Sequence, residues 1–380
     1  MSMDEFLKYK EEIVRLRRDF HMHPELGFEE QRTSKIVEEY LKELGIKTKR
    51  MATTGVVGYL DNGENVTIAL RADMDALPIQ EENDVPYKSR YPGKMHACGH
   101  DAHTAMLLVA AKILSQRKLK GNVRFLFQPA EEGLNGAKRM IDDGALKGVD
   151  KIIGLHVWAE LPSKVIAISP GPIMASVDHF KIIIRGKGGH GASPHQTNDP
   201  ILCASSLITS LQSIVSRNIS PLESAVVTVG KISGGTAFNI IPENVEMEGT
   251  VRTFSEEVRS LIERRLGEIV KHHSLALGCR GELIYKKLNS ATVNDEELAQ
   301  IGKEVASKIT RVVEQKKTMG GEDFSEYARI IPGLFVYLGI RNEEKGIIYP
   351  HHNPRFNIDE DALPYGTAFE VLITEKLLNS

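Results

Sequence analysis

The sequence MHACGHDAHT, residues 95–104, is followed directly by AMLLVAAKIL, residues 105–114. The first segment places five donor-type side chains within eight positions: His96, Cys98, His100, Asp101 and His103. Thiolate and imidazole groups together suit a zinc-like ion. The second segment is apolar on nearly all sides, which predicts a buried helix with the donors at its N-terminal end. A helix cap with a few solvated histidines is the alternative. The pairing of a cysteine with a histidine two positions later, beside further histidines, favours the metal site.

The bulk properties exclude several classes of protein. The chain has 380 residues, enough for two domains, and a net charge of −3 with no basic block, so nothing points to nucleic acid. The N-terminal segment is charged throughout, unlike a signal peptide, and the longest apolar runs are too short to span a bilayer. Three sparse cysteines, Cys98, Cys203 and Cys279, do not make a disulfide framework. These features predict a cytoplasmic protein without a membrane partner.

Further acidic and imidazole groups stand at the ends of predicted strands. They are Asp73 and Asp75 after residues 66–70, Glu131 and Glu132 after residues 122–127, and His156 after residues 151–155. Strands that alternate with helices predict a mostly parallel sheet, and open α/β sheets place their sites at strand ends. We therefore expect these side chains to meet at one edge of the sheet. Residues 56–60 and 66–70 also flank Asp61-Asn62-Gly63, which predicts a β-hairpin.

The pattern changes near Ser176. From residue 177 to residue 287 the predicted order is strand, helix, strand, strand, helix, strand, which is the order of a ferredoxin-like module. The first pattern resumes from about Asn289. The sequence thus predicts a catalytic α/β domain made of residues 1–175 and 289–380, with residues 176–288 inserted as an α+β domain. A glycine-rich loop at residues 186–195 fits neither phosphate-binding pattern, so nucleotide binding is not expected.

The candidate metal donors come from distant parts of the chain. They are Cys98, His100, Glu131 or Glu132, His156, and His351 or His352. About five ligands exceed the need of one tetrahedral ion and suit two ions roughly 3.5–4 Å apart. Donors scattered over much of the chain favour a catalytic site over a structural one. The glutamate that does not bind metal can act as a general base. These observations predict metal-assisted hydrolysis.

Eight segments carry a resemblance to a known family: RADMDALP, HACGHDAHT, QPAEEG, GLHVW, GGHGASPH, AFNIIPE, MGGEDF and HHNPRF. Together they resemble the two-metal aminoacylase and carboxypeptidase family, and most of all its amidohydrolase branch, which includes hippurate hydrolases and indole-acetyl-amino-acid hydrolases. The resemblance extends from about Arg18 to Asp361. It implies a di-metal catalytic domain that is interrupted by a smaller dimerisation domain.

The resemblance also implies roles for individual residues. The metal ligands would be Cys98, His100, Glu132, His156 and His352, with Cys98 as a bridge. Glu131 would be the general base, and Asp75 would orient a ligating imidazole. His190 would stabilise the tetrahedral oxyanion, in the site of the partner subunit. The free carboxylate of the substrate would meet Asn239 and Arg252, in a pocket lined by the backbone of Gly320 and Gly321.

The chain departs from the commoner members of the family at two positions. Asp73 stands where those members have a histidine ligand, and Cys98 stands where they have a bridging aspartate, a change that the amidohydrolase branch shares. The role of Asp73 is therefore open. A thiolate ligand favours zinc, with manganese or cobalt as alternatives, so we expect two divalent ions per subunit.

The expected reaction is hydrolysis of the amide bond in N-acyl-L-amino acids, or in short peptides with a free C-terminal carboxylate, by a homodimer or higher homo-oligomer. Two other functions stay open: a thiol hydrolase that uses Cys98 as its nucleophile, and a catalytically silent protein that binds amino-acid derivatives. Glu131 and Glu132 could exchange roles, His351 could replace His352, and Arg252 could be an ordinary surface ion-pair partner.

Overall fold

The computed structural model describes residues 3–63 and 66–379. The chain divides into two compact units. The described part of the first unit comprises residues 3–63, 66–173, 293–316 and 323–379, and the second comprises residues 174–292 and 317–322. The short segment 317–322 thus groups with the second unit, although the sequence placed it in the first. The roles predicted for the two parts, catalysis and dimerisation, stay predictions.

The strands are, in chain order, β1 (Lys47–Met51), β2 (Gly55–Leu60), β3 (Thr67–Asp73), β4 (Asn122–Gln128), β5 (Lys151–Pro162), β6 (Ile166–Ala167), β7 (Gly171–Met174), β8 (Val177–Arg185), β9 (Gly189–His190), β10 (Ala225–Gly234), β11 (Ile240–Ile241), β12 (Asn244–Thr253), β13 (Arg280–Asn289), β14 (Thr292–Asn294), β15 (Val312–Val313) and β16 (Gly333–Arg341). The α-helices are α1 (Met3–Leu7), α2 (Lys10–Met22), α3 (Gln31–Glu43), α4 (His100–Ser115), α5 (Glu131–Leu134), α6 (Gly136–Asp142), α7 (Pro200–Ser213), α8 (Glu256–Ala276), α9 (Glu296–Ala306), α10 (Phe324–Ala328) and α11 (Leu363–Leu378). Among these helices, none is long and apolar enough to cross a membrane.

The first unit is built on one large sheet with the strand order β1-β2-β4-β3-β5-β16-β6-β15. Its centre is parallel, because β3 runs parallel to β4 and β5, and β5 runs parallel to β16. Every residue of β3 is buried, as expected for a strand that packs on both faces. The predicted mostly parallel sheet is therefore confirmed.

The predicted hairpin between β2 and β3 is wrong. Strand β4 lies between them and pairs antiparallel with β2 and parallel with β3. Residues 64 and 65 of the connection lie outside the described residues. The turn signal at residues 61–63 favours a local chain reversal, but it does not determine which strand becomes the neighbour. Because β3 is buried along its whole length, it needs a strand on both edges, and the later strands β4 and β5 supply them.

The buried helix predicted after the histidine-rich segment is confirmed, and it begins at His100. Nearly all of α4 is buried, and it packs against α2, α11 and β3. Gly99 precedes it with a φ of +94°, and a Cβ at this position would lie 2.3 Å from Cγ2 of Val157. Glycine is therefore needed here for the chain to turn sharply against β5. The turn places His100 beside the part of β5 that carries His156.

The second unit has the predicted ferredoxin-like order, β8-α7-β10-β12-α8-β13. Its antiparallel sheet has the strand order β10-β12-β8-β13. Alternate residues of β8, namely Phe180, Ile182 and Ile184, are buried in a core of their own. Side chains from α7 and α8 complete that core. The inserted α+β module is confirmed by this topology.

Candidate metal centre

The first unit brings the five predicted metal ligands into one cluster. Donor atoms of Cys98, His100 and Glu132 lie within 4.8 Å of one another. The Sγ atom of Cys98 is 3.5 Å from Nε2 of His156, and Nε2 of His352 is 3.1 Å from Oε1 of Glu132. A thiol, three imidazoles and a carboxylate are a donor set that suits a zinc-like ion.

One ring nitrogen of His100 is hydrogen-bonded to a carboxylate, and the other is available to bind a metal ion. Its Nδ1 lies 3.2 Å from Oδ1 of Asp75, whereas its buried Nε2 has no hydrogen-bond partner among the described residues. A buried nitrogen without a partner is costly, and a cation would supply the partner. Burial lowers the pKa of His100, but the carboxylates of Asp73 and Asp75 outweigh burial and raise the pKa to about 10. This position therefore stabilises positive charge, and the residues present fit a metal ion.

His156 is prepared in the same way. Its Nδ1 donates to the backbone carbonyl of Val157 at 2.6 Å, which leaves Nε2 directed toward Cys98. Burial, helped by the neighbouring histidines His103 and His351, lowers the pKa of His156 well below its usual value. The imidazole is therefore neutral, which is the form that binds a metal.

Asp75 connects this imidazole cluster to the glutamate pair. Its Oδ1 accepts hydrogen bonds from Nδ1 of His100 and from the backbone N–H of Glu131 at 3.0 Å. Its Oδ2 accepts from the backbone N–H of Glu132 at 2.9 Å. One carboxylate therefore fixes both a candidate ligand and the segment that carries the candidate base.

The two glutamates have different surroundings. Glu132 faces His352 and belongs to the donor group with Cys98 and His100. Burial raises the pKa of Glu132, but the hydrogen bond from His352 and the charge of His100 outweigh it, so the pKa is lowered. Glu131 is also buried, and one of its carboxylate oxygens lies within 4.8 Å of one of Asp323. This difference supports Glu132 as a ligand and Glu131 as a separate carboxylate.

The neighbouring histidines His351 and His352 also differ. The Nε2 atom of His351 accepts a hydrogen bond from the backbone N–H of Ala159 at 3.2 Å, and burial lowers its pKa to about 3. The backbone N–H of His352 donates to the carbonyl of Ala97 at 2.9 Å, and its φ is +61°. This unusual backbone conformation turns the His352 side chain toward Glu132, whereas His351 packs inside the fold.

Asp73 and His103 are hydrogen-bonded to each other and to neighbouring elements. Oδ1 of Asp73 lies 2.5 Å from Nδ1 of His103, and its Oδ2 accepts from Arg71 at 2.7 Å. The other nitrogen of His103 accepts from the backbone N–H of Val157 at 2.9 Å. Both ring nitrogens of His103 are thus engaged, although a donor group of Asp73, His100, His103 and His156 also lies within 4.8 Å. Asp73 acts here as a structural anchor for β3, α4 and β5.

Cys98 is poorly suited to be a free nucleophile. The side chain is buried, and burial together with the carboxylates of Glu132, Glu131 and Asp73 raises the pKa of its thiol well above 9.0. A reactive thiol nucleophile requires the opposite shift. A divalent cation among these carboxylates would stabilise the thiolate, so the electrostatics favour a ligand role for Cys98.

In the second unit, His190 and Asn239 lie side by side. His190 in β9 pairs with Ile240 in β11, and the N–H of Gly191 donates to the carbonyl of Asn239 at 2.8 Å. The Nδ1 atom of His190 accepts from the backbone N–H of Ala192 at 3.0 Å. Its Nε2 is therefore the protonated nitrogen, and the exposed side chain can donate a hydrogen bond outward.

Arg252 lies in β12 beside the glycine loop. Its half-buried guanidinium has no hydrogen bond or ion pair with any residue that the structure describes; burial lowers its pKa, and the charge of Asp178 opposes that shift. A Cβ at Gly321 would lie 3.3 Å from Nη1 of Arg252, so glycine leaves space next to the guanidinium. The carbonyl of Gly320 accepts from Ala175 at 3.0 Å. Across the described residues, no hydrogen bond joins this group to His190 or Asn239.

The sequence reasoning missed a buried polar network beneath the site. Oδ1 of Asp323 accepts from Arg71 at 2.9 Å and from Gln128 at 2.8 Å, and Arg71 also donates to Asp73. Each of these residues lies inside a motif already quoted, in RADMDALP, QPAEEG or MGGEDF. Polar residues within otherwise apolar strand ends were the signal that could have identified them, because buried polar groups need partners.

A largely parallel sheet that carries His156 within β5, with thiol, imidazole and carboxylate donors gathered around it from α4, α5 and loops and one more carboxylate beside them, defines a metal-dependent hydrolase. The chain belongs to Peptidase family M20/M25/M40, whose model matches residues 69–376. The predicted family is therefore confirmed, and this protein is a metal-dependent amidohydrolase of that family.

Two relatives and one solved structure illustrate the similarity. Thermostable carboxypeptidase 2 of Saccharolobus solfataricus is 43% identical over 375 residues, which cover 97% of this chain and 95% of that protein. IAA-amino acid hydrolase ILR1-like 4 of Arabidopsis thaliana is 44% identical over 376 residues, with 96% and 86% covered. The crystal structure of the Bacillus subtilis YXEP protein, described as a dinuclear metal binding peptidase from the M20 family, superposes with a TM-score of 0.88 at 36% identity and covers 98% of this chain and 99% of that chain.

Proposed function

We propose that this protein hydrolyses the amide bond of N-acyl-L-amino acids, or of short peptides that end in a free carboxylate. The observation that carries the proposal is the cluster of five donors beside the separate carboxylate of Glu131. The names of the two relatives, a carboxypeptidase and an IAA-amino acid hydrolase, agree with this substrate class.

The proposed cofactor is a pair of divalent ions in each subunit. Cys98, His100, Glu132, His156 and His352 would hold the pair, with Cys98 as the shared ligand. When bound, such ions polarise a scissile carbonyl and lower the pKa of water. The thiol and imidazole donors favour zinc, with manganese and cobalt as alternatives.

Three side chains would carry the proton transfers and the charge stabilisation. Glu131 takes a proton from the attacking water and later gives it to the leaving amine. Asp75 keeps His100 in the tautomer that leaves Nε2 available. His190 donates a hydrogen bond from its Nε2–H group to the oxyanion that develops on the former carbonyl oxygen, and it keeps its proton.

The free carboxylate of the substrate would bind in the second unit. The guanidinium of Arg252 can form two parallel hydrogen bonds to a carboxylate, and it has no hydrogen bond or ion pair with a described residue that would compete with this role. Asn239 and the backbone of Gly320 and Gly321 would complete the pocket. Such a clamp orients the scissile bond before the reaction begins.

The proposed enzyme is a homodimer or a higher homo-oligomer in which His190 acts in the site of the neighbouring subunit. The ferredoxin-like unit is the proposed dimerisation module. The protein is proposed to work in the cytoplasm, which is supported by three cysteines, Cys98, Cys203 and Cys279, that are all unpaired and buried.

The function is tested by a hydrolysis screen of N-acyl amino acids and dipeptides, with protein loaded separately with zinc, manganese and cobalt. Each substrate is compared with its C-terminal amide as a matched control. We expect turnover of the free acids, its loss after chelation and its return with added metal. Full turnover by demonstrably metal-free protein would instead support the thiol route through Cys98. Ligand binding without turnover at full metal loading would support a silent binding protein.

A further inference from the structure

Trp158 is the single tryptophan of the sequence, and it follows His156 by two positions on β5. Alternate residues of a strand point to the same face, so the indole and the proposed ligand share one side of the sheet. Their ring centroids are 6.0 Å apart. The residues that flank Trp158 in the sequence are buried, whereas Trp158 itself remains partly exposed. An aromatic surface therefore lies directly beside the proposed metal centre.

The indole is held in a fixed orientation. It stacks on Tyr337, with ring centroids 3.9 Å apart and an angle of 6° between the planes. Tyr337 is itself buried and pairs with His156 across β5 and β16. His351 approaches with its ring centroid 5.3 Å from that of the indole. Because the neighbouring rings already hold Trp158 in place, its side chain would lose little further conformational freedom when a ligand stacks on it.

Core packing alone does not account for the exposed part of this ring. Indole is a large apolar group, and leaving part of it exposed to water gives up free energy that its burial would contribute to folding. The indole N–H also donates to no residue that the structure describes. A rigid, partly exposed aromatic ring next to a catalytic centre has the character of a ligand-contact surface.

The chemistry of the proposed substrate indicates which group meets this surface. The acyl substituent is bonded directly to the carbonyl carbon, so it must stay close to the donor cluster during the reaction. The amino-acid part carries the carboxylate, and its proposed partner is the cationic Arg252. Unit 1 offers Trp158 near the donors, and a flat ring suits a flat acyl group.

Resting on the proposed function, we propose that Trp158 is a specificity-determining residue that contacts the acyl group of the substrate and favours planar, aromatic acyl groups over acetyl. The preference is set by stacking and not by charge. The substrate class of the site is thereby narrowed to N-aroyl and similar N-acyl amino acids.

The first test compares N-benzoyl and N-acetyl derivatives of one amino acid. In Trp158→Leu the ratio of kcat/KM for the benzoyl over the acetyl substrate should fall at least about threefold, while Trp158→Phe should keep most of the ratio. Tyr59→Leu is the matched control, since it removes an aromatic ring from β2 in the same sheet and should leave the ratio unchanged. Metal content is measured for every variant. An equal change for both substrates in Trp158→Leu would overturn the proposal.

The second test uses the tryptophan itself as the probe and does not depend on turnover. Metal-loaded Glu131→Gln protein is titrated with N-benzoylglycine and with N-acetylglycine while tryptophan emission is recorded. We expect a saturable change in emission with the benzoyl compound at concentrations where the acetyl compound gives little. Saturable changes at equal concentrations would reject the preference. If the wild-type protein hydrolyses neither compound, the proposed function fails, and the emission titration still decides the role of Trp158.

Discussion

Glu131 and Glu132 are chemically identical neighbours with different contacts, so a matched pair of substitutions can separate their roles. Glu131→Gln keeps the shape of the side chain and removes the proton acceptor. We predict that it retains metal and lowers kcat at least ~10²-fold, the low end for loss of a general base. Glu132→Gln should instead lose metal, because Glu132 belongs to the donor group. Elemental analysis and steady-state kinetics measure both effects. Metal loss in Glu131→Gln with retention in Glu132→Gln would reverse the assignment.

Arg252 can be tested through the charge of the substrate. Arg252→Ala should raise KM for N-acyl amino acids much more than for their C-terminal amides, because only the acids carry the carboxylate. Arg185→Ala is a suitable control, since Arg185 lies on β8 of the same sheet and forms an exposed ion pair with Glu282. If Arg252→Ala affected acids and amides equally, Arg252 would not contact the carboxylate.

At the scale of single residues, the sequence indicated which residue types form the candidate site, but it did not determine which of two adjacent residues faces the site. Cys98 and His100 were predicted as ligands from their unusual spacing and specific chemistry, and the structure brings their donor atoms within 4.8 Å of each other, while their role as ligands stays a prediction. The choice between His351 and His352 depends on a backbone hydrogen bond to Ala97, which no local pattern encodes. The role of Asp73 depends on Arg71 and His103, which approach it only in the folded chain.

Helix α11 contains a carboxyl group inside the core of the first unit. Glu370 is 4% exposed, its Oε2 has no hydrogen-bond partner among the described residues, and burial raises its pKa well above the usual value. Folding raises the pKa of such an acid above its unfolded value of about 4.3. The contribution of this carboxyl group to the free energy of unfolding is therefore highest below a pH of about 4.3 and falls as pH rises toward the folded pKa, because the unfolded chain then ionises more readily than the folded one.

We therefore predict that Glu370→Gln becomes more stable relative to wild type as pH rises above about 4.3, by up to ~1.4 kcal/mol per pH unit until the folded pKa is reached. Urea unfolding of both proteins at several pH values measures the difference in the free energy of unfolding. A difference that does not change with pH would show that Glu370 is ionised in the fold. Glu375→Gln, on the same helix but less buried, is the control and should show a smaller trend.

At the scale of elements, prediction succeeded where one local pattern decides the structure. Strand β8 alternates buried and exposed residues, and its bounds were predicted correctly at Val177 and Arg185. The hairpin between β2 and β3 failed because strand partners are chosen by burial over the whole sheet. Residues 131–134 also escaped prediction, since their backbone is irregular and donates hydrogen bonds to distant side chains such as Asp75.

For the whole molecule, the trans role of His190 can be tested with two inactive variants. His190→Ala and Glu131→Ala are unfolded and refolded together in equal amounts, so about half of the dimers are mixed. If His190 acts in the partner's site, one of the two sites in each mixed dimer has every group it needs. Recovered activity should then approach about a quarter of the wild-type value. Each variant refolded alone is the control.

If His190 acts within its own subunit, every site lacks one group, and mixing should restore nothing. Native mass spectrometry establishes that mixed dimers have formed, so absent recovery would reject the trans arrangement.

The sequence predicted the inserted module from its order of elements, because ferredoxin-like topology has a recognisable pattern of strands and helices. Subunit association depends on surfaces, which a single sequence does not specify.

The interruption of the first unit also affects how the protein is made. Strand β16 is the neighbour of β5 at the centre of the sheet, and roughly 200 residues separate His156 from His352 in the chain. At ~5–20 residues per second, a ribosome needs on the order of 10 to 40 seconds to synthesise that interval. During this time the nascent sheet has an unpaired, apolar edge at β5. Four of the five proposed donors have been synthesised, and the fifth, His352, has not. Such an exposed edge favours aggregation of the newborn chain, and the proposed metal site is complete only once His352, within the final tenth of the sequence, has been translated.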